Sequence, residues 1–328
     1  MVSGYRSVFQ TTKNKNMKTA IFEYGKQSLS EWIKENSDCE KMILKGEVYP
    51  ESFYNDDCEY KIPEYNKHHS EDLVCRFDDF AKNFHPTEFD ISDMHLLKFE
   101  GNIDDEELEY TDARSHPSMI YKMLANRKYG TRFVYKDGHI TTPDRKVLIH
   151  SDNISECIYI PEGIETIGRL AFAGISKYEN KNEFRVILPD GILNIEEYAF
   201  YYSNLIHIDF PDSLRSLGEC AFMGTELKEV LLPDGIEEIP VCCFTYTWIE
   251  KLHLPSTLKI IRCCAFDGLH CNEIRLPQSI EIVESGSLDG FYEKIYVPKT
   301  IKELAHDFYY EEGIDEDYEE HKPIIIEY

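Results

Sequence analysis

Three cysteines stand 22 residues apart in this chain, Cys220, Cys242 and Cys264, and Cys243, Cys263 and Cys271 lie beside them in the pattern CC-x19-CC-x6-C. Thiols at this density support a disulfide or redox couple, a metal site, or no chemistry at all, because a buried thiol also packs as a small apolar group. The spacing matches no standard zinc pattern, in which paired ligands lie two to four residues apart. The favoured expectation is therefore reduced, structural cysteine. The twelve histidines are scattered, with His68 and His69 adjacent and no H-E-x-x-H. No G-x-S-x-G, phosphate-cradling glycine loop or spaced carboxylate pair occurs either. The expectation is a non-enzyme with no cofactor and no metal. The alternatives are an enzymatic or small-ligand-binding domain within residues 17–128, marked by a pocket around His68, His69 or His85, and a structural surface protein.

The 22-residue step belongs to a longer pattern. Pro161, Pro189, Pro211, Pro233, Pro255, Pro277 and Pro298 follow one another at steps of 28, 22, 22, 22, 22 and 21 residues. Apolar residues recur three and six places after each proline, as in Ile236 and Ile239. A small residue recurs ten places after it (Ala171, Ala199, Ala221, Cys243, Ala265, Ser287) and Phe or Leu eleven after. Just before each proline an alternating run such as Val230-Leu231-Leu232 reads as a short strand, which proline ends because it cannot donate to a sheet ladder. One such repeat cannot enclose its own apolar side chains. Stacked repeats bury them as continuous ladders, which is the logic of a solenoid. Gly168 and Gly218 follow the second inward residue and suit a tight turn. The six additional residues between Pro161 and Pro189 are assigned to a polar loop at 177–182.

The segments "LKEVLLPDGIEEIPVCCF" (Leu227–Phe244) and "IHIDFPDSLRSLGECAF" (Ile206–Phe222) resemble the BspA-type leucine-rich repeat, L-x-x-I-x-I-P-x-x-V-x-x-I-G-x-x-A-F. The likeness spans about residues 131–308, and "FVYKDGHITTPDRKVLIH" (Phe133–His150) resembles the atypical repeat that opens such arrays. The resemblance implies a right-handed solenoid of parallel strands and a bacterial protein that binds other proteins, often at the cell surface.

Alternation along the strands leaves two sets of side chains facing outward. Two places before proline stand Tyr159, Ile187, Asp209, Leu231, His253, Arg275 and Tyr296. Four places before stand Cys157, Arg185, His207, Glu229, Lys251, Glu273 and Lys294. They form a ribbon about 30 Å long at roughly 5 Å per repeat. Mixed aromatic and cationic composition suits recognition hot spots; the bland alternative is a solvated sheet face. The ribbon is the candidate site, on the concave face, for a protein, a peptide or a glycan.

The remaining composition narrows the choices. Of 328 residues 42% are hydrophobic, with 22 Tyr and 18 Phe, enough for a sizeable core rather than a disordered chain. A formal net charge of −26 repels phosphate backbones and anionic bilayers, which argues against nucleic acid and membrane surfaces as partners. No apolar run reaches the ~18 residues of a membrane span. The first residues lack the apolar core of a signal peptide, so the expected location is cytoplasmic, with a cell-surface or secreted role as the alternative. Residues 1–16 read as a disordered tail, with Met17 an alternative start. Residues 17–130 read as a small α/β domain capping the solenoid. "KTAIFEY" and "KMILKG" read there as strands; "SLSEWIKEN", "SEDLVCRFDDFAKNF" and "HPSMIYKMLANRKYG" read as helices. Residues 309–328 form a C-terminal cap in which Ile324–Ile326 suit a closing strand. A monomer is expected.

Overall fold

The computed structural model describes residues 18–23, 32, 35–36, 38–48, 87–96, 119–151, 155–174, 183–290, 292–308 and 323–328. The expected tail, the helix at 70–84, the 177–182 loop and His68, His69 and His85 lie outside these residues.

Each repeat contributes a front strand ahead of its proline and a two-residue back strand behind it. The front strands are Cys157–Tyr159, Phe184–Ile187, Leu205–Asp209, Glu229–Leu231, Lys251–His253, Glu273–Arg275 and Lys294–Val297; Ile324–Glu327 adds a last one, parallel to Lys294–Val297. The back strands run from Thr166–Ile167 to Glu303–Leu304. Pairing between successive repeats is parallel and, apart from Leu205, which stands opposite Phe184 at a bulge, keeps the proline register, for example Glu229↔Lys251, Val230↔Leu252 and Leu231↔His253; the front strands pair in three groups, broken after Leu205–Asp209 and after Lys251–His253. The back ladder is interrupted between Ser216–Leu217 and Glu238–Ile239. There Pro240, which has no N–H, stands where Glu196, Arg262 and Glu284 donate to the preceding back strand.

The interior follows the repeat. Phe172, Phe200, Phe222, Phe244 and Phe266 are fully buried and stack with centroids 4.8, 5.1, 5.1 and 5.2 Å apart. The small residues beside them, from Ala171 to Ser287, have no exposed surface, and any larger side chain would meet the stack. Their backbone carries a third line of bonds: Phe172, Phe200, Phe222, Phe244 and Phe266 each donate to the carbonyl of the small residue one repeat on.

Gly168 and Gly218 each open a tight turn, the carbonyl accepting from the amide three residues on, that of Ala171 at 3.2 Å and of Ala221 at 3.3 Å. Gly168 and Gly218 do not have positive φ. They are glycine because backbone passes too close: a Cβ at Gly218 would lie 2.2 Å from the Glu197 nitrogen, and one at Gly168 2.7 Å from the Leu148 carbonyl. Left-handed residues stand nine places after proline, at Leu170, Tyr198, Cys220, Cys242, Cys264 and Gly286, with φ between 52° and 61°, and again thirteen places after, as at Tyr202 and Tyr246. The Cys column therefore occupies a backbone conformation that L-residues seldom adopt.

The N-terminal elements join the same architecture. Strands β1 (Thr19–Glu23), β2 (Lys41–Val48) and β3 (Glu88–Leu96) pair in parallel. β3 then pairs antiparallel with β4 (Arg132–Lys136), which begins a meander through β5 (His139–Thr141) and β6 (Val147–Ser151). β6 pairs in parallel with the first back strand, so one nine-stranded sheet runs from β1 into the repeats, across the expected boundary at residue 130. β3 was not anticipated, although Phe89 and Ile91, 1% and 0% exposed, alternate in its sequence. Trp32 and Glu35 of the expected helix are helical, and α1 (Met119–Ala125) forms within "HPSMIYKMLANRKYG".

Helix α1 closes the first repeat in a specific way. In later repeats three carbonyls per turn, such as Glu197, Ala199 and Tyr201, accept amides from the repeat before. The first repeat has no predecessor, and its equivalents are Arg169, Ala171 and Ala173. Asn126 Nδ2 donates to the Arg169 carbonyl at 2.8 Å, and Lys122 Nζ donates to those of Ala171 and Ala173 at 3.3 Å each. Lys122 is only 2% exposed. One helical i, i+4 pair thus supplies the donors that a missing repeat would have supplied.

Candidate functional site

The front ladder positions the ribbon. Its inward residues Ile158, Val186, Ile208, Val230, Ile274 and Ile295 are at most 5% exposed. That burial anchors each strand and fixes which residues point outward. Tyr159 (67% exposed), Arg185, Asp209, Glu229, Leu231 (43%), Lys251, His253, Glu273 and Arg275 are exposed. Cys157, Ile187, His207, Lys294 and Tyr296 are half-buried. All of the expected ribbon residues therefore lie on the non-core side of the ladder.

Their charges are not equally available. Lys251 Nζ pairs with Glu229 Oε1 of the neighbouring strand at 2.5 Å, and His207 Nε2 lies 3.3 Å from Asp209 Oδ2. The Arg275 guanidinium lies 3.9 Å from the centre of the Tyr296 ring and 5.1 Å from that of Tyr328. The Tyr328 hydroxyl donates to the Leu276 carbonyl at 2.7 Å, tying the last residue beside this cluster. Two aromatic rings and a cation thus share one end of the ribbon, while Tyr159 is exposed at the other. Tyr328 was not among the expected residues, because its place beside Arg275 depends on the final strand pairing in register with Lys294–Val297.

A second surface feature lies just ahead of the front strands. Lys228, Trp248, Glu250, His270 and Asn272 line an open groove of about 450 Å³. Trp248, 59% exposed, stacks on His270 with centroids 4.6 Å apart and planes 13° from parallel. Sequence reasoning passed over it because these positions fall outside both strand ladders. The available signal was one of only two tryptophans standing in a turn.

The Cys column lies away from the ribbon, on the turn side. Cys220, Cys242 and Cys264 are half-buried at equivalent positions of three successive repeats, and Cys263 Sγ lies 3.4 Å from Cys264 Sγ. The Cys220 thiol, bonded to Cys242, draws the Cys242 thiol down to about 6. Burial, then Cys263, pushes Cys264 up to about 12. Burial alone dominates at Cys243 and raises it far above the ordinary thiol range. Among the described residues no group of three or more His, Cys, Asp or Glu side chains is arranged to hold a metal ion. Nor is any helix among them long and apolar enough to cross a membrane.

The family model for the BspA type leucine rich repeat region matches the chain in six copies over residues 146–269 and 237–316, together just over half of its length. No curated protein matches. Among solved structures, a leucine-rich repeat protein of T. pallidum is 22% identical, with a TM-score of 0.39 over 47% of this chain and 79% of its own. A leucine-rich cell surface protein of Faecalibacterium prausnitzii is 13% identical, with a TM-score of 0.35 over 52% of this chain and 72% of its own. A leucine-rich repeat protein of Eubacterium ventriosum is also 13% identical, with a TM-score of 0.35 over 52% of this chain and 65% of its own.

Proposed function

The chain belongs to the BspA-type leucine-rich repeat family, and from that premise we propose that it is a non-catalytic recognition protein that binds a protein or peptide across the outward ribbon of its front strands. In this reading the solenoid is right-handed and the ribbon lies on its concave face. Residues 17–130 and 309–328 close the two ends of the stack.

The observation that carries the reading is the pairing of exposed aromatic and apolar side chains with cations on that one face. Arg275 stacks on Tyr296 and Tyr328, and Tyr159 and Leu231 stand in solvent. Rings and guanidinium groups contribute large contact area for little lost freedom, and both are enriched where interfaces hold most of their energy. A partner covering the ribbon would remove Leu231 and Tyr159 from water and strengthen the interaction of Arg275 with its rings by excluding solvent.

The test is capture of partners from the protein's own cell extract with the intact chain as bait, compared with an Arg275→Glu, Leu231→Asp double variant. Both side chains point away from the core, so the fold is retained, as far-UV circular dichroism would verify. The expected result is loss of at least one partner from the variant. Retention of every partner would show that the ribbon is not the site.

A further inference from the structure

Cys220 and Cys242 occupy the same left-handed corner of successive repeats, at φ 52° in both. Their backbones lie one rung apart: Cys220 donates its amide to the Val241 carbonyl at 3.1 Å, and Cys242 donates to Cys263 at 3.1 Å. Neighbouring parallel rungs hold equivalent Cα atoms about 5 Å apart, within the range a disulfide spans. Each thiol shifts the ionisation of the other. Both are half-buried, open to a small reagent, against a minor apolar cluster that includes Leu170, Tyr198, Tyr201 and Met223. Cys243, the next residue in the chain, is fully buried in the main core, and Cys271 is 6% exposed.

We propose that Cys242 and Cys220 form a reversible dithiol–disulfide site that reacts with hydroperoxides, Cys242 being the attacking thiol and Cys220 the resolving one. The Cys242 thiolate attacks a peroxide oxygen. An S–O bond forms, the O–O bond breaks, and with hydrogen peroxide the departing hydroxide takes a proton and leaves as water. Sulfur is oxidised to sulfenic acid while the peroxide is reduced. Cys220 sulfur then attacks Cys242 sulfur, so that an S–S bond forms and the S–O bond breaks. The displaced hydroxide takes the Cys220 proton and leaves as a second water. A dithiol reductant reverses the change.

The environment separates Cys242 from the other thiols. Cys220, and then Thr245 and Cys264, favour its thiolate, while burial and the Asp267 carboxylate oppose it. The balance draws it below the ordinary thiol range, toward the nucleophilic thiolate. Cys264 and Cys271 are held on the thiol side, chiefly by burial.

The test treats the full reduced chain at pH 7 with one equivalent of hydrogen peroxide, blocks the remaining thiols, and maps the peptides by mass spectrometry. The expected product is a linked Cys220–Cys242 peptide pair that disappears on treatment with dithiothreitol. In Cys220→Ser the link is lost, and dimedone labels Cys242 at about tenfold the level on Cys271. In Cys242→Ser both link and label are lost. A Cys242–Cys264 or Cys263–Cys264 link in its place, or no link at all in the unmodified chain, overturns the assignment without recourse to either variant. Dimedone labelling equal at Cys242 and Cys271 overturns the role given to Cys242.

Discussion

Replacing Lys122 by methionine tests whether the N-terminal helix stands in for a missing repeat. Methionine keeps the length and most of the volume of the side chain but removes its donors. The Ala171 and Ala173 carbonyls, on residues 0% and 2% exposed, then lose the ammonium that lies 3.3 Å from each. A buried polar group without a partner costs about 1–3 kcal/mol, so two carbonyls cost about 2–6 kcal/mol. Against this, the substitution relieves the burial of a charged group, which offsets part of the loss. The net expectation is a destabilisation of about 2–4 kcal/mol. At about 2 °C per kcal/mol for a chain of this size, the melting midpoint falls by about 4–8 °C. Thermal unfolding followed by circular dichroism measures it, with Lys136→Met as a control, since the Lys136 side chain is 59% exposed and its loss should change stability by less than about 0.5 kcal/mol. A midpoint for Lys122→Met within 1 °C of the control would refute the argument, because the carbonyls would then be satisfied without the lysine.

Two further outcomes follow from the geometry. His150 is buried, and desolvation together with Lys122 holds its pKa well below the ordinary value. The unfolded chain therefore binds a proton that the folded chain excludes. Stability should fall as pH drops below about 6.5, with a slope approaching 1.4 kcal/mol per pH unit from this one group. Denaturant titrations at pH 7 and pH 5 on the parent and on His150→Gln measure it, and equal slopes in the two would remove His150 as the cause. Gly218→Ala should destabilise by more than about 3 kcal/mol despite the better intrinsic propensity of alanine, since its Cβ would lie 2.2 Å from the Glu197 nitrogen; a melting midpoint equal to that of the parent would show that the neighbouring turn gives way freely.

The repeat was legible because its constraint is local and periodic. A ladder of equivalent positions must keep the same residue type at each rung, so Phe222, Ala221 and Val230 announce their burial through Phe200, Ala199 and Ile208 one step earlier. Alternation before each proline likewise separates Leu231, which faces water, from Val230, which does not. What the period could not supply is any relation between residues that share no register. Lys122 reads as an ordinary surface lysine on a short amphipathic helix. Only the stacking of that helix on the first repeat turns it into a buried donor. Tyr328 gains its place beside Arg275 through the pairing of Ile324–Glu327 with Lys294–Val297 and a hydrogen bond to the Leu276 carbonyl 52 residues away. Gly218 was legible as a turn residue, but the close passage of the Glu197 backbone that requires glycine there was not, because contact between two backbones leaves no mark in one of them alone. The cysteines show both sides of this division. Their 22-residue spacing placed them in one column from the sequence, while the left-handed corner and the facing of Cys220 on Cys242 belong to the tertiary structure, since side-chain direction depends on φ and on the neighbouring rung.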